Sequence, residues 1–181
     1  PRIALPESHA IWDEIASELP RLIANGGLQK AIGSLPKLCG DSNHLEDQYV
    51  TRAATIIGIL AHGYVNEGMM LKPPLSGDNP IFRYDPEVET TSILPGWLWT
   101  AWEVLGQRLE REETSLSFTD LVINNWKFRD PALPQPYLLE NLDLLVPYTG
   151  VAEERLFYLN FIETLGRTIP LTNSLVEAQE C

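Results

Sequence analysis

The sequence predicts a mainly α-helical globular protein, and three observations carry that reading. Apolar residues recur at helical spacing in four long segments. Glycine and proline punctuate those segments at their ends. A short stretch, Ile81 to Tyr84, reads as a strand, and no internal repeat or low-complexity tract interrupts the pattern. The 181 residues, 44% apolar and 21% charged, suffice for a sizeable core.

The first helix starts after Pro6 and Ser8, with Ile11, Ile15, Leu19, Leu22 and Ile23 on one stripe, and Gly26-Gly27 stops it. An amphipathic turn, Leu28 to Leu35, ends at Pro36, and Cys39 to Asp47 is a polar loop. The second long helix spans about Leu45 to Asn66. Its wide apolar stripe implies burial on much of its surface, and Ala53, Ala54, Gly58, Ala61 and Gly63 admit a close neighbour. Residues 71–95 carry five prolines and form the longest irregular segment.

Pro95 opens a helix with Trp97, Leu98, Trp102, Leu105 and Leu109 on one side. A further helix is expected over about Ser117 to Trp126. A proline-rich linker follows it (Pro131 to Tyr137), then a short apolar element, Asn141 to Val146. Gly150 breaks the chain before a last helix, Ala152 to Ile169, apolar nearly all round as in a core helix. Asn173 and Ser174-x-x-Glu177 have the spacing of a new helix cap, so the chain reads as a fragment with a helix cut short.

Composition excludes several functions. The 13 Lys+Arg against 25 Asp+Glu give a net charge of −12, which argues against unaided nucleic-acid binding. No run of 18 apolar residues and no leader pattern point to a membrane. Two lone cysteines, Cys39 and Cys181, make neither a disulfide framework nor a zinc site, and they suit a reduced, cytoplasmic setting.

Recognisable chemistry is sparse. The histidines His9, His44 and His62 lack ligand spacing, and P-loop, dinucleotide and nucleophile-elbow motifs are absent. His62, inside the apolar helix, reads as a core histidine with a hydrogen-bond partner or else as an axial ligand. The tryptophans around Trp99 read as core packing or else as a binding cage. Glu110 to Glu113, mixed with Arg108 and Arg111, read as a solvated helix end. Asn160, an amide on an apolar helix, needs a partner if buried, either structural or a ligand.

Several ordered segments resemble the indoleamine 2,3-dioxygenase family. They are Leu5-Pro6-Glu7 with Trp12, Glu18-Leu19-Pro20 with Leu22-Ile23, Ala61-His62-Gly63-Tyr64-Val65 with Gly68, and Leu94-Pro95 before a helix. The series Asn125-Trp126-Lys127, Asp130-Pro131 and Glu140 to Leu145 carries most weight, and Arg155 to Glu163 matches the family's first large-domain helix.

That resemblance implies an all-α fold, with a small helical N-terminal domain (1–148) and the start of a haem-binding helical domain (149–181). It implies haem b, O₂ and a tryptophan-like substrate, with the axial histidine and the rest of the haem domain in a C-terminal half outside this chain. It adds no nucleic-acid or membrane partner to the composition reading and assigns no metal ligand here. Carried over by position, Phe118, Leu121, Val122, Leu156, Phe157 and Asn160 line the substrate pocket, with Leu159 the alternative to Asn160. Phe118, Val122, Phe157 and Asn160 also face the cofactor. Leu156 departs from the family's aromatic pattern and Phe118 from its tyrosine. The implied reaction is 2,3-dioxygenation of an indole to an N-formylkynurenine-type product. The alternatives are monooxygenation of a modified tryptophan by a haem enzyme of the same superfamily, and a helical binding module without cofactor.

Overall fold

A computed structural model describes residues 4–35, 42–70, 94–134 and 136–179. Both cysteines, the expected strand at Ile81 to Tyr84 and most of the proline-rich segment lie outside them. The described residues are mainly helical, as the sequence predicts, with one small sheet that it does not predict.

Helix α1 (Ala10–Asn25) follows a 3-10 turn, Glu7–His9, and buries Trp12, Ile15, Ala16, Leu19, Leu22 and Ile23. Gly26 ends it in the left-handed region (φ 62°), and the Gly27 N–H closes the turn on the Leu22 carbonyl. Helix α2 (Leu28–Gly33) starts at once. Its first amides, which a helix start leaves without intrahelical partners, are not capped locally. The Leu28 and Gln29 N–H groups donate to the buried Glu67 carboxylate at 2.5 and 2.9 Å.

Glu67 belongs to α3 (Asp47–Met70), the central helix, whose Val50, Ala53, Ala54, Ile56, Ile57, Ile59, Leu60 and Ala61 are all buried. Its small residues admit neighbours as expected. A Cβ at Gly63 would come within 2.7 Å of Leu28, and one at Gly58 within 2.9 Å of Leu116. Helix α4 (Gly96–Arg108) starts after Pro95 and packs Leu98, Ala101 and Leu105 into the same core. Trp97 and Trp102 pack against that core, whereas Trp99 is 45% exposed and meets Trp102 edge-on.

The expected helix from Ser117 to Trp126 does not form. A single π-helical turn, Thr119–Ile123, is followed by strand β1 (Trp126–Phe128), which pairs antiparallel with β2 (Leu142–Leu144), Trp126 opposite Leu144. The cause is local. The Asn125 carboxamide bonds the Val146 N–H and carbonyl at 2.8 and 2.9 Å, which pulls the chain out of any helix. Asn141 does the same for the return strand, accepting from the Asp130 N–H and donating to the Asp130 and Pro136 carbonyls.

Helix α5 (Ala152–Gln179) leaves Gly150 (φ 74°) and runs on through Pro170. The new start expected at Asn173 is not made, because the Ser174 hydroxyl bonds back to the Pro170 carbonyl within one continuous helix. Nor is α5 buried all round. Of its described residues Leu159 and Ile162 are buried, and they join Val122, Leu142 and Leu144 in a second core cluster. That cluster contains residues from both sides of position 148.

Candidate functional site

Three interactions seat the first half of α5. The Glu154 carboxylate accepts the N–H groups of Tyr148, Thr149 and Gly150 at 2.6, 2.7 and 2.9 Å. Arg155 donates to the Leu139 and Leu142 carbonyls, which ties the helix to β2. Gly166 lies under the Tyr137 ring, where any Cβ would overlap it. With Leu159 and Ile162 turned inward, the 3.6-residue period turns Phe157, Asn160 and Phe161 outward.

The outward face is aromatic. Phe157 is 62% exposed and Phe118 55% exposed. The Phe118 and Phe161 rings meet edge to face at 5.2 Å, and Phe157 and Phe161 at 5.8 Å. Phe118, at the entry of the π turn, and Phe157, on α5, therefore belong to one wall joined through Phe161. Phe161 is not among the residues the family resemblance points to, although its position four residues after Phe157 places it on the same helical stripe.

The other expected site residues fall into two groups. Leu156 is exposed beside Phe157, and Asn160 is exposed on the same face, so the amide needs no buried partner. Leu159, the alternative to Asn160, is fully buried in the second core. Val122 is also buried in that core, and Leu121 packs against both clusters, so these two side chains back the wall and do not project from it.

His62 is not a core histidine. It is exposed, shares a 2.9 Å hydrogen bond with the Asn66 amide, and lies 6.1 Å from the Tyr148 ring. Partial burial there pushes its pKa below the usual histidine value. Among the described residues no group of His, Cys, Asp or Glu could hold a metal ion.

The stretch read as a solvated helix end divides in two. Glu110, Glu112 and Glu113 are exposed, whereas both arginines turn inward. Arg108 donates to the Ser42 carbonyl and to Asp47. Arg111 grips both oxygens of Asp120, a carboxylate with no exposed surface. The Ser117 N–H and hydroxyl also donate to Asp120, at 2.9 and 2.8 Å. The Ser117-x-x-Asp120 spacing was the available sequence signal for this knot.

No helix of the described residues is long and apolar enough to cross a membrane. A model of the family described as indoleamine 2,3-dioxygenase matches residues 1–180. Indoleamine 2,3-dioxygenase 1 of Mus musculus is 29% identical over 99% of this chain, and that of Rattus norvegicus 30% identical over 97%. Indoleamine 2,3-dioxygenase 2 of Mus musculus is 26% identical over 99% of the chain. The chain spans about two fifths of these relatives' length (40%, 40% and 39%) and corresponds to their N-terminal portion.

Proposed function

The chain belongs to the indoleamine 2,3-dioxygenase family, and from that premise we propose that its parent protein oxygenates the indole ring of tryptophan or a derivative with haem and O₂. The reaction we favour is 2,3-dioxygenation to an N-formylkynurenine-type product. The observation that carries this reading is the outward aromatic wall of Phe118, Phe161 and Phe157, with Asn160 among them. Flat apolar rings with one isolated amide suit one side of a pocket for a flat aromatic ligand.

The same residues fit haem as a wall and not as ligands. The outward rings are apolar, and no metal-holding group lies among the described residues. When bound, haem supplies the iron chemistry that activates O₂. This chain would contribute exclusion of water by Phe118 and Phe157 and orientation of a polar substrate group by the Asn160 amide. Leu121 and Val122 would hold the wall from behind, and Leu156 would widen it. On this reading residues 1–148 form a small helical domain, and 149–181 open a larger one completed by a C-terminal half that carries the axial histidine.

The test uses the full-length protein. A Soret band after purification or haem addition supports the reading, and its absence leaves a helical binding module instead. With haem present, mass spectrometry of product made from tryptophan and labelled O₂ decides the reaction. Two labelled atoms are expected; one would replace dioxygenation with monooxygenation.

A further inference from the structure

The Phe118 ring projects outward from a segment that Leu121 and Val122 anchor only on its far side. Its neighbours Thr119 and Ile123 are exposed. The turn it enters is π-helical, closed by the Asn124 N–H on the Thr119 carbonyl at 2.9 Å. Such turns are rare, need specific support, and occur often at functional sites. The support here is the Asp120 carboxylate, two residues beyond Phe118.

Asp120 is fully satisfied. One oxygen accepts from the Ser117 N–H, the Ser117 hydroxyl and Arg111; the other accepts from Arg111. In return the Asp120 N–H is shared between the Ser117 carbonyl (3.1 Å) and hydroxyl (3.2 Å). The bonds bracket Phe118 on both sides, from Ser117 to Asp120.

Arg111 is itself placed by backbone strain. Glu110 adopts φ 56°, unusual for a residue with a side chain, and lets the Arg111 N–H close α4 on the Gly106 carbonyl at 3.0 Å. A buried ion pair of this kind adds little net stability over apolar packing, but a two-pronged guanidinium fixes position.

We propose that Asp120, gripped by Arg111, is a positioning residue that sets the Phe118 ring against Phe161 and thereby tunes aromatic-substrate binding at this wall. The inference rests on the pocket reading above for its second half only. Whether Asp120 places the ring is a question of structure alone.

The experiment compares full-length wild type with Asp120→Asn, Ser117→Ala and Ser117→Thr. Ring-proton contacts between Phe118 and Phe161 are read by nuclear Overhauser effects, and KM and kcat are read for tryptophan. Asp120→Asn turns an amide N–H₂ toward Arg111. It is expected to weaken the ring contact and raise KM about tenfold while kcat changes less than about threefold, since a wall that touches substrate away from the reacting atoms contributes uniform binding. Ser117→Ala, milder and safer for folding, is expected to raise KM about threefold, and Ser117→Thr to recover the wild-type value. Unchanged ring contact and KM in folded Asp120→Asn overturns the inference. Lost contact with unchanged KM overturns its functional half. Wild type without a Soret band or turnover refutes the pocket reading, while the ring contact still decides whether Asp120 places Phe118.

Discussion

Replacing Asn125 by alanine removes a side chain that acts as a piece of backbone. Its carboxamide completes the ladder beyond β1 and β2, meeting the Val146 N–H at 2.8 Å and the Val146 carbonyl at 2.9 Å. Asn125 and Val146 are each 1% exposed, so water does not readily replace the lost partner. Each stranded buried group costs about 1–3 kcal/mol, so the pair costs roughly 3 kcal/mol after partial relaxation. At about 1.4 kcal/mol per factor of ten, that is about a hundredfold shift in the local opening equilibrium. Amide hydrogen exchange reads such local opening directly, independently of how the rest of a longer protein unfolds. The Leu145 and Val146 amides of full-length Asn125→Ala are expected to exchange about a hundredfold faster than wild type. Asn125→Asp keeps an acceptor for the Val146 N–H but sets an oxygen against the Val146 carbonyl, so it should accelerate exchange at least as much. Lys127→Ala, on the exposed side of β1, should leave these amides unchanged. If folded Asn125→Ala accelerates them less than about threefold, the ladder reading is wrong.

Glu67→Gln leaves a single acceptor oxygen for the Leu28 and Gln29 N–H groups. It should cost about 1 kcal/mol and speed exchange of those two amides; protection equal to wild type would refute side-chain capping of α2. Gly166→Ala drives a methyl group into the Tyr137 ring. About 1–3 kcal/mol of destabilisation is expected in urea melts, partly relieved by Tyr137→Ala, and equal midpoints would show that the ring yields freely. Burial, then the charges of Glu154 and Glu67, push the Tyr148 pKa up to about 12. Folding therefore favours the neutral phenol, and its contribution is complete below the unfolded value near 10 and lost as pH rises toward about 12. The full shift is worth about 3 kcal/mol, which solvent screening at this partly buried ring reduces to about 1 kcal/mol. Between pH 9 and 11.5 Tyr148→Phe should lose correspondingly less stability than wild type, and parallel losses would exclude Tyr148 as the cause.

Legibility followed the length of the signal. Helices α1, α3 and α4 were legible because five or more apolar residues each repeat at one period, with Gly26 and Pro95 at the boundaries. Strands of three residues offer no alternation to count, so β1 was absorbed into a helix. The deciding residues there, Asn125 and Asn141, act through partners 21 and 11 residues away, and spacing cannot reveal such pairs. Those asparagines also belong to the Asn-Trp, Asp-Pro and Glu-Asn series on which the family resemblance leaned hardest. In this structure the series builds a staple, and its Leu142 and Leu144 back the wall by packing with Val122 and Leu159. At the wall, the family resemblance grouped Phe157 with Asn160, and their i, i+3 spacing puts them near one another on the helix. The Phe118 to Phe161 contact and the Arg111–Asp120 pair join separate elements and required the fold.

The two ends of α5 show why the wall faces outward. Its first half is held on one side by Arg155, Leu159, Ile162 and the Tyr137 ring over Gly166, which leaves the Phe157 side turned away from both core clusters. Beyond Pro170, which lacks the N–H that would bond the Gly166 carbonyl, no described residue is buried, and Leu171, Leu175 and Val176 are all about half exposed or more. A helix with a glycine and a proline four residues apart gains little from intrinsic propensity, so packing must supply its order. Apolar side chains aligned on both halves of one helix, continuous with Phe118, exceed what a monomer usually leaves in water. The proposed C-terminal half answers both demands at once. It would cover the distal turns, and over Phe157 and Phe161 it would leave a gap of apolar walls in which a flat ring could displace water.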